Sequence, residues 1–482
     1  CRMTPLIIAP IVLPAVVAAL TLLARHNLAL QRSASLLTSA ALLALAVALI
    51  GQANFGPQPY FLGNWPAPFG IVLVLDRLSA LMLTLTAALA LIVLIHVITT
   101  GWDKRGHHFH TLFLFQLMGL NGAFLTADAF NLFVFFEVLL IASYGLMVHG
   151  GGAARLRAGG QYVAFNLLGS TLFLFALATI YAVTGTLNMA DLAQKLALLP
   201  PADHALIRVA AVLLMLVFAI KAALVPLQFW LPGTYANAPG PVAALFAVMT
   251  KVGAYALLRF GTLVFPPTLP ATGSLIADLL HPAALLTMAV GAIGVLGATH
   301  LPRQIAFAAI GSMGVLLLAV SAFAPTSTTA GLYYLLHSTL ATAALFLIAD
   351  LARSHRGGAI AALFMAAAVA MVGLPPLSGF IGKLLLLDAL RAPLPWLAIL
   401  LSSLLTMIGF VRTGSALFWH PQAQPEAAKT NPPATTLIAT AFCLIALAAL
   451  TLFAGPLTAW LAQVAQDLHH PNAYIAANGL GS

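Results

Sequence analysis

Residues 218–259 read FAIKAALVPLQFWLPGTYANAPGPVAALFAVMTKVGAYALLR. Two apolar helical segments meet at a Pro/Gly-rich turn, and each carries one lysine at mid-depth, Lys221 and Lys251. Pro226 falls within the first segment, five residues after Lys221. Proline has no N–H, so a break there leaves the carbonyl of Ala222 without its helical partner. A buried lysine beside interrupted helical backbone is how membrane proteins build ion sites near the bilayer midplane. The remainder of the chain reads as scaffold for this arrangement, with a second copy of it.

Composition sets the class. The chain is 62% hydrophobic and 6% charged, against about 25% charged for a soluble domain. Apolar runs long enough to cross a bilayer follow one another almost without pause, and no polar stretch is long enough for a sizeable soluble domain. The net charge of +9 comes from basic residues scattered singly between apolar runs. That pattern fits membrane topology rather than nucleic-acid binding. Cysteine is limited to Cys1 and Cys443, which excludes a disulfide framework and a cysteine-ligated iron–sulfur cluster built by this chain alone. No GxGxxG opens a strand–helix unit and no GxxxxGK[ST] loop occurs, so no nucleotide cofactor is expected. No metal site is expected either. His107, His108 and His110 with Asp103 read as a solvated basic connection.

The expected fold is an all-α polytopic membrane protein of about fourteen spans. They fall at roughly 5–24, 34–50, 72–99, 109–127, 129–149, 161–184, 205–229, 238–263, 283–300, 303–323, 329–350, 359–388, 394–418 and 434–462. The run at 5–24 is read as the first span and not as a signal peptide. The connection GQANFGPQPYFLGNWPAPFG (residues 51–70) suits a short hairpin or irregular loop at the membrane surface. Residues 188–199 suit a short interfacial helix. Asp76 and Arg77 are expected to pair locally. Arg25, Arg32, Lys104, Arg105, Arg155, Arg157, Arg303, Arg353, Arg356, Arg412 and Lys429 fall in connections at one end. Arg2, Arg77, Lys195, Arg208, Arg259 and Arg391 fall at the other. The excess places both termini on the outer, periplasmic side.

A weak internal repeat supports the reading. QYVAFNLLGSTLFLFA (residues 161–176) matches LYYLLHSTLATAALFL (residues 332–347), aligning Tyr162 with Tyr333 and Asn166 with His337. LVPLQFWLP (residues 224–232) answers GLPPLSGFIGK (residues 373–383), so each half has one proline-interrupted helix, broken at Pro226 or at Pro375 and Pro376. Five spans per half, an odd number, make the two copies inverted.

Inside the apolar spans the ionisable residues are few: Glu137, Lys221, Lys251, His337 and Lys383. A charge in hydrocarbon costs several kcal/mol, roughly 2.5 or more even in favourable settings, so each calls for a reason. Lys221 is expected to find a carboxylate such as Glu137. His337, in YYLLHSTLAT, carries a group that titrates near neutrality. Lys383 is expected nearer a membrane face. Three lysines, a histidine and a glutamate make a proton path that needs neither metal nor redox chemistry. A proton placed on one group disfavours the next, which couples them.

Four stretches carry a family resemblance: GNWPAPFGIVLVLDRLSALML (residues 63–83), the segment around Glu137, residues 221–259 and GLPPLSGFIGK. Through them nearly the whole chain resembles the D-type subunits of Mrp-type multisubunit monovalent cation/proton antiporters. It is also similar to the antiporter-like proton-channel subunits of respiratory complex I. The resemblance implies inverted five-helix repeats over helices 4–8 and 9–13, with helices 7 and 12 interrupted. The corresponding segments are 1–108, an N-terminal three-helix unit; 109–265 and 266–420, the two repeats; and 421–482, helix 14 and the tail. Matched motif by motif, the family's buried groups fall on Glu137, Lys221, Lys251, His337 and Lys383. The resemblance further implies a secondary antiporter subunit rather than an enzyme, in a bacterial inner membrane. It would exchange protons for Na⁺ or K⁺ with partner subunits and without a cofactor. The second reading is a proton-pumping membrane subunit of an NADH:quinone oxidoreductase or a membrane hydrogenase.

Overall fold

The computed structural model describes residues 4–419 and 431–480. Cys1, Arg2, Lys429 and the last two residues lie outside the described residues. The chain opens with α1 (Ala9–Leu23) and α2 (Leu28–Ala53). Then β1 (Gln58–Phe61) and β2 (Val72–Leu75) form an antiparallel hairpin, with Gln58 opposite Leu75. The hairpin takes Val72–Leu75 out of the third span, so α3 runs Arg77–Thr100. The boundary is set by Asp76. Its Oδ1 accepts from Ser79 N at 2.8 Å, and the Ser79 hydroxyl accepts from Asp76 N at 2.8 Å. This reciprocal cap starts a helix and stops a strand. Asp76 is therefore committed locally through its cap, but its ion pair is with Arg259 at 2.7 Å, while Arg77 pairs with Asp467 at 2.5 Å. The expected Asp76–Arg77 pair does not form.

Next come α4 (Phe109–Leu125), α5 (Ala129–Met147) and α6 (Ala153–Thr184). A short helix, α7 (Met189–Ala197), follows where an interfacial one was expected, capped by Asn188. The seventh span is α8 (His204–Ala222), a break, and α9 (Trp230–Asn237). The eighth joins α10 (Gly240–Phe246) and α11 (Met249–Arg259) with a π turn at Phe260–Val264. The chain continues through α12 (Leu275–Gly297), α13 (Leu301–Ser321) and α14 (Pro325–Leu351). The twelfth span is again broken, into α15 (Gly358–Val372) and α16 (Ser378–Ala389). Then come α17 (Pro393–Gly414), α18 (Ala434–Leu452), α19 (Ala454–His469) and α20 (Asn472–Ala477). Among the described residues 11 helices are long and apolar enough to cross a membrane, and α1, α4 and α15 are shorter apolar helices. The chain is a multi-pass membrane protein.

Burial separates the centre from the rim. The most apolar windows of α14 and of Gly240–Val264 are 100% buried, whereas that of α17 is 22% buried. A helix that is apolar all round and fully covered belongs in the middle of a bundle. Both central helices carry sequence-predicted ionisable residues.

The two ends of the bundle differ in chemistry. At one, Arg32 forks onto Asp103 with bonds of 2.6 and 2.8 Å, and His110 Nε2 lies 3.2 Å from the same carboxylate. The Asp103 side chain and His110 are buried. His107 and His108 are exposed, as a solvated connection requires, but Asp103 and His110 form a packed polar lock with Arg32. Burial alone would push the Asp103 carboxyl up, but the hydrogen bonds from Arg32 and His110 outweigh it and hold it at about 2.

Candidate functional site

The first break begins where α8 stops, and it stops before the proline. Ala223 turns left-handed, with φ 55°. Leu224 N then reaches back to Ala219 O at 2.9 Å, a Schellman closure. Pro226 thus lies in the connection rather than inside the helix as its sequence position suggested. Lys221 occupies the last turn of α8, where the negative end of the helix dipole favours a cation. The indole of Trp230 donates to Ile220 O at 3.0 Å, beside the bond that this carbonyl accepts from Ala223 N at 3.1 Å. Lys221 is left to reach sideways: its Nζ donates to Asn166 Oδ1 at 3.1 Å, across to α6. One turn along α6, Ser170 donates to the carboxylate of Glu137 and also bonds Asn166 O.

Glu137 and Lys221 accordingly form no direct ion pair among the described residues. Two side chains of α6, Ser170 and Asn166, stand between them. A cavity of about 20 Å³, bounded by Tyr162, Asn166, Lys221 and Trp230 among others, sits beside the ammonium. That is room for about one water.

The second break repeats the backbone of the first. Gly373 is left-handed with φ 84°, and Leu374 N reaches Val369 O at 3.2 Å. Pro375 and Pro376 lie in the connection. The lysine arrives from the other side. Lys383 is on α16, after the break, and its Nζ donates to Val372 O at 2.6 Å and to the Ser403 hydroxyl of α17 at 2.7 Å. It caps the end of α15 itself. Lys383 is buried, at 9% exposure.

Between the breaks lie Lys251 and His337, both buried. Gly253 makes the crossing of α11 with α8 possible: a Cβ there would sit 2.6 Å from Ala222 N and 2.8 Å from Phe218 O. The crossing brings the Lys251 segment against the Lys221 backbone. His337, on α14, meets the Ser378 hydroxyl with Nδ1 at 2.9 Å, and the whole ring is buried. His337 packs against α16, the helix of Lys383: a Cβ at Gly379 would sit 2.8 Å from His337 Nε2. The five expected residues therefore fall into two clusters, Glu137–Lys221 and His337–Lys383, with Lys251 held against the first by the α8–α11 crossing. No group of His, Cys, Asp or Glu among the described residues has metal-site geometry.

Sequence reasoning missed Ser170, Ser378 and Ser403, the hydroxyls that hold the ionisable groups. Ser170 had a usable signal, being four residues after Asn166 and so on the same face of α6. It also missed His96 Nε2 and Trp102 Nε1, which meet Asp350 Oδ2 at 3.0 and 2.8 Å near the arginine-rich end of α14.

The family model described as NADH:quinone oxidoreductase/Mrp antiporter, TM matches residues 126–409, more than half of the chain and the part that holds all five residues. The chain belongs to this family. A probable K⁺/H⁺ antiporter D-type subunit of Rhizobium meliloti is 39% identical over 97% of this chain and 96% of its own length. A Na⁺/H⁺ antiporter D-type subunit of Bacillus subtilis is 36% identical over 98% of this chain and 99% of its own. Among solved structures, a chain of the Mrp complex from Dietzia sp. DQ12-45-1b superposes with a TM-score of 0.88 at 28% identity, covering 100% of both. A chain of respiratory complex I from Thermus thermophilus gives 0.81 at 27% identity, over 99% of this chain and 100% of that one. The family places this chain among membrane subunits that work within larger assemblies.

Proposed function

We propose that the chain is the proton-translocating D-type subunit of a multisubunit Na⁺ or K⁺/H⁺ antiporter, a secondary transporter. In this reading protons pass along Glu137, Lys221, Lys251, His337 and Lys383, coupled to monovalent cation export. The observation that carries it is the pair of ionisable clusters in the buried centre, each at a helix break. A structural lock would need no such set. Buried ion pairs are replaced by apolar packing at little loss, and here Lys221 and Lys383 take neutral acceptors instead of carboxylates. The D-type antiporter subunits that match nearly the whole chain at 36–39% identity favour this reading over a redox-driven one.

Asn166 and Ser170 hold Lys221 and Glu137 at a fixed spacing, so the carboxylate can favour the ammonium without trapping it. A proton gained at Lys383 disfavours one at His337, which gives the second cluster its coupling. The division into 1–108, 109–265, 266–420 and 421–482, with the middle two as inverted repeats, goes with this reading. So does a bacterial inner membrane with both termini on the periplasmic side, the arginine-rich end facing the cytoplasm.

The test is a pH-sensitive dye in vesicles holding the whole complex, with Na⁺ and K⁺ added in turn. Glu137→Gln keeps the volume and removes ionisation. It should assemble and show little or no cation-driven proton movement; near-normal transport would contradict the proposal.

A further inference from the structure

One roomy cavity is away from the ionisable clusters. It has a volume of about 630 Å³ and lies at the arginine-rich end, between the α12–α13 turn, the end of α14 and the end of α17. Three arginines line it: Arg353, Arg356 and Arg412. Thr299, His300 and Thr413 add polar walls. No carboxylate lines it, and none of the three arginines forms an ion pair among the described residues. Arg356 spends Nε on Ala352 O of its own turn, and Arg412 donates to Leu296 O. A guanidinium has five N–H donors, so most remain to be used. Three positive charges around one cavity, without an ion-pair partner among the described residues, repel one another, and an anion in the cavity relieves that repulsion.

What borders the cavity narrows the anion's identity. Toward the middle of the bundle the same helices present bare apolar side chains. Ile293 of α12 is 66% exposed, and Leu404, Ile408 and Val411 of α17 are 48%, 47% and 63% exposed. A polar cationic cup at the end of an exposed apolar helix face matches a molecule with an anionic head and hydrocarbon chains. Arginine also suits phosphate by shape, through its planar fork.

We propose that Arg353, Arg356 and Arg412 form a binding site for the phosphate headgroup of an anionic phospholipid, with its acyl chains along α12 and α17. The site ties the end of α14, the helix that carries His337, to the rim helix α17, which supplies Ser403 to Lys383. Basic pockets between transmembrane helices are a recurrent way to hold such headgroups.

The experiment uses the full chain in its complex, purified in mild detergent and stripped of lipid. Phosphatidylglycerol and phosphatidylcholine are titrated separately, with bound lipid read by native mass spectrometry. Phosphatidylglycerol should bind and phosphatidylcholine should not. At roughly 1 kcal/mol per arginine, each single Arg→Gln change should weaken binding about fivefold and the triple change on the order of a hundredfold. Arg25→Gln, at the same end but in the α1–α2 turn, should bind like the unaltered chain. If the triple variant does not fold, the exposed Arg353→Gln alone carries the comparison, provided its lipid-free melting temperature is unchanged. Equal binding of the two lipids, or full phosphatidylglycerol affinity in the folded arginine variants, overturns the proposal. Displacement of phosphatidylglycerol by excess inorganic phosphate overturns the lipid assignment, because a soluble anion would then satisfy the arginines without the apolar helix face.

Discussion

The two helix breaks share a backbone and divide the work of their lysines differently. Both close a helix with a left-handed residue, Ala223 or Gly373, and both continue through Leu-X-Pro-Leu. At the first, Trp230 donates to the helix end and Lys221 is free to reach α6. At the second, Lys383 performs the capping and is held by a carbonyl and a hydroxyl together. Equal sequence spacing around proline does not therefore mean equal roles. The lysine with one neutral acceptor and a carboxylate nearby is the more easily moved of the two.

That contrast can be broken most directly at the acceptors. Asn166→Leu removes the one hydrogen-bond acceptor of Lys221. A charged hydrogen bond is worth about 1.5–3 kcal/mol, so cation-driven proton movement in vesicles should fall by about tenfold or more. Ser403→Ala leaves Lys383 with Val372 O as a second acceptor, so the ammonium stays hydrogen-bonded and the loss should stay within about threefold. Equal losses would erase the distinction between the breaks.

The histidine that serves the second break gives a sharper comparison. His337→Lys keeps a titratable nitrogen and should transport better than His337→Ala in the same assay. If both match the unaltered protein, His337 only fills the core.

A control lies away from both breaks, in the Arg32–Asp103–His110 lock. The Asp103 carboxyl is held at about 2, below an unfolded value of about 3.9. A depressed carboxyl adds stability that is present above the unfolded value and lost as pH falls toward the folded one. Melting temperature should therefore fall more steeply between about pH 4 and pH 2 in the unaltered protein than in Asp103→Asn. At neutral pH that variant should lose about 1–3 kcal/mol of stability. Identical acid limbs would remove the lock from the account.

The smallest effects belong to the left-handed residues themselves. Gly373→Ala should destabilise by roughly 1–2 kcal/mol, since a side chain is disfavoured there and its Cβ would come 2.9 Å from Lys383 Cδ. Ala223→Gly relieves the same backbone preference at the cost of chain entropy, and should change stability by less than about 1 kcal/mol. Thermal melts in detergent separate the two.

Much of the fold could be read from the chain because hydrocarbon imposes simple rules. Apolar length marks a span, proline marks a break, and a lone lysine in an apolar run marks a group that needs partners. The partners themselves were hidden. Ser170, Ser378 and Ser403 look like ordinary helix hydroxyls, which usually bond back to their own turn, as Ser170 and Ser403 also do. Asp76 looked paired with its neighbour because Arg259, its actual partner, is distant in sequence. Val72–Leu75 read as the start of a helix, since VLVL is equally apolar in a strand and only the Asp76–Ser79 cap decides between them.

The central claim is that Lys221 carries protons and does more than anchor Glu137. Lys221→Arg tests it most directly, because arginine keeps the positive charge and does not release it at any accessible pH. The measurement is cation-driven ΔpH in vesicles containing the complete complex, at protein levels matched to the unaltered chain, with Lys221→Ala beside it. The account predicts that both variants assemble and both fail. Robust ΔpH activity in Lys221→Arg, with Lys221→Ala inactive, would contradict it and leave Lys221 as a fixed charge.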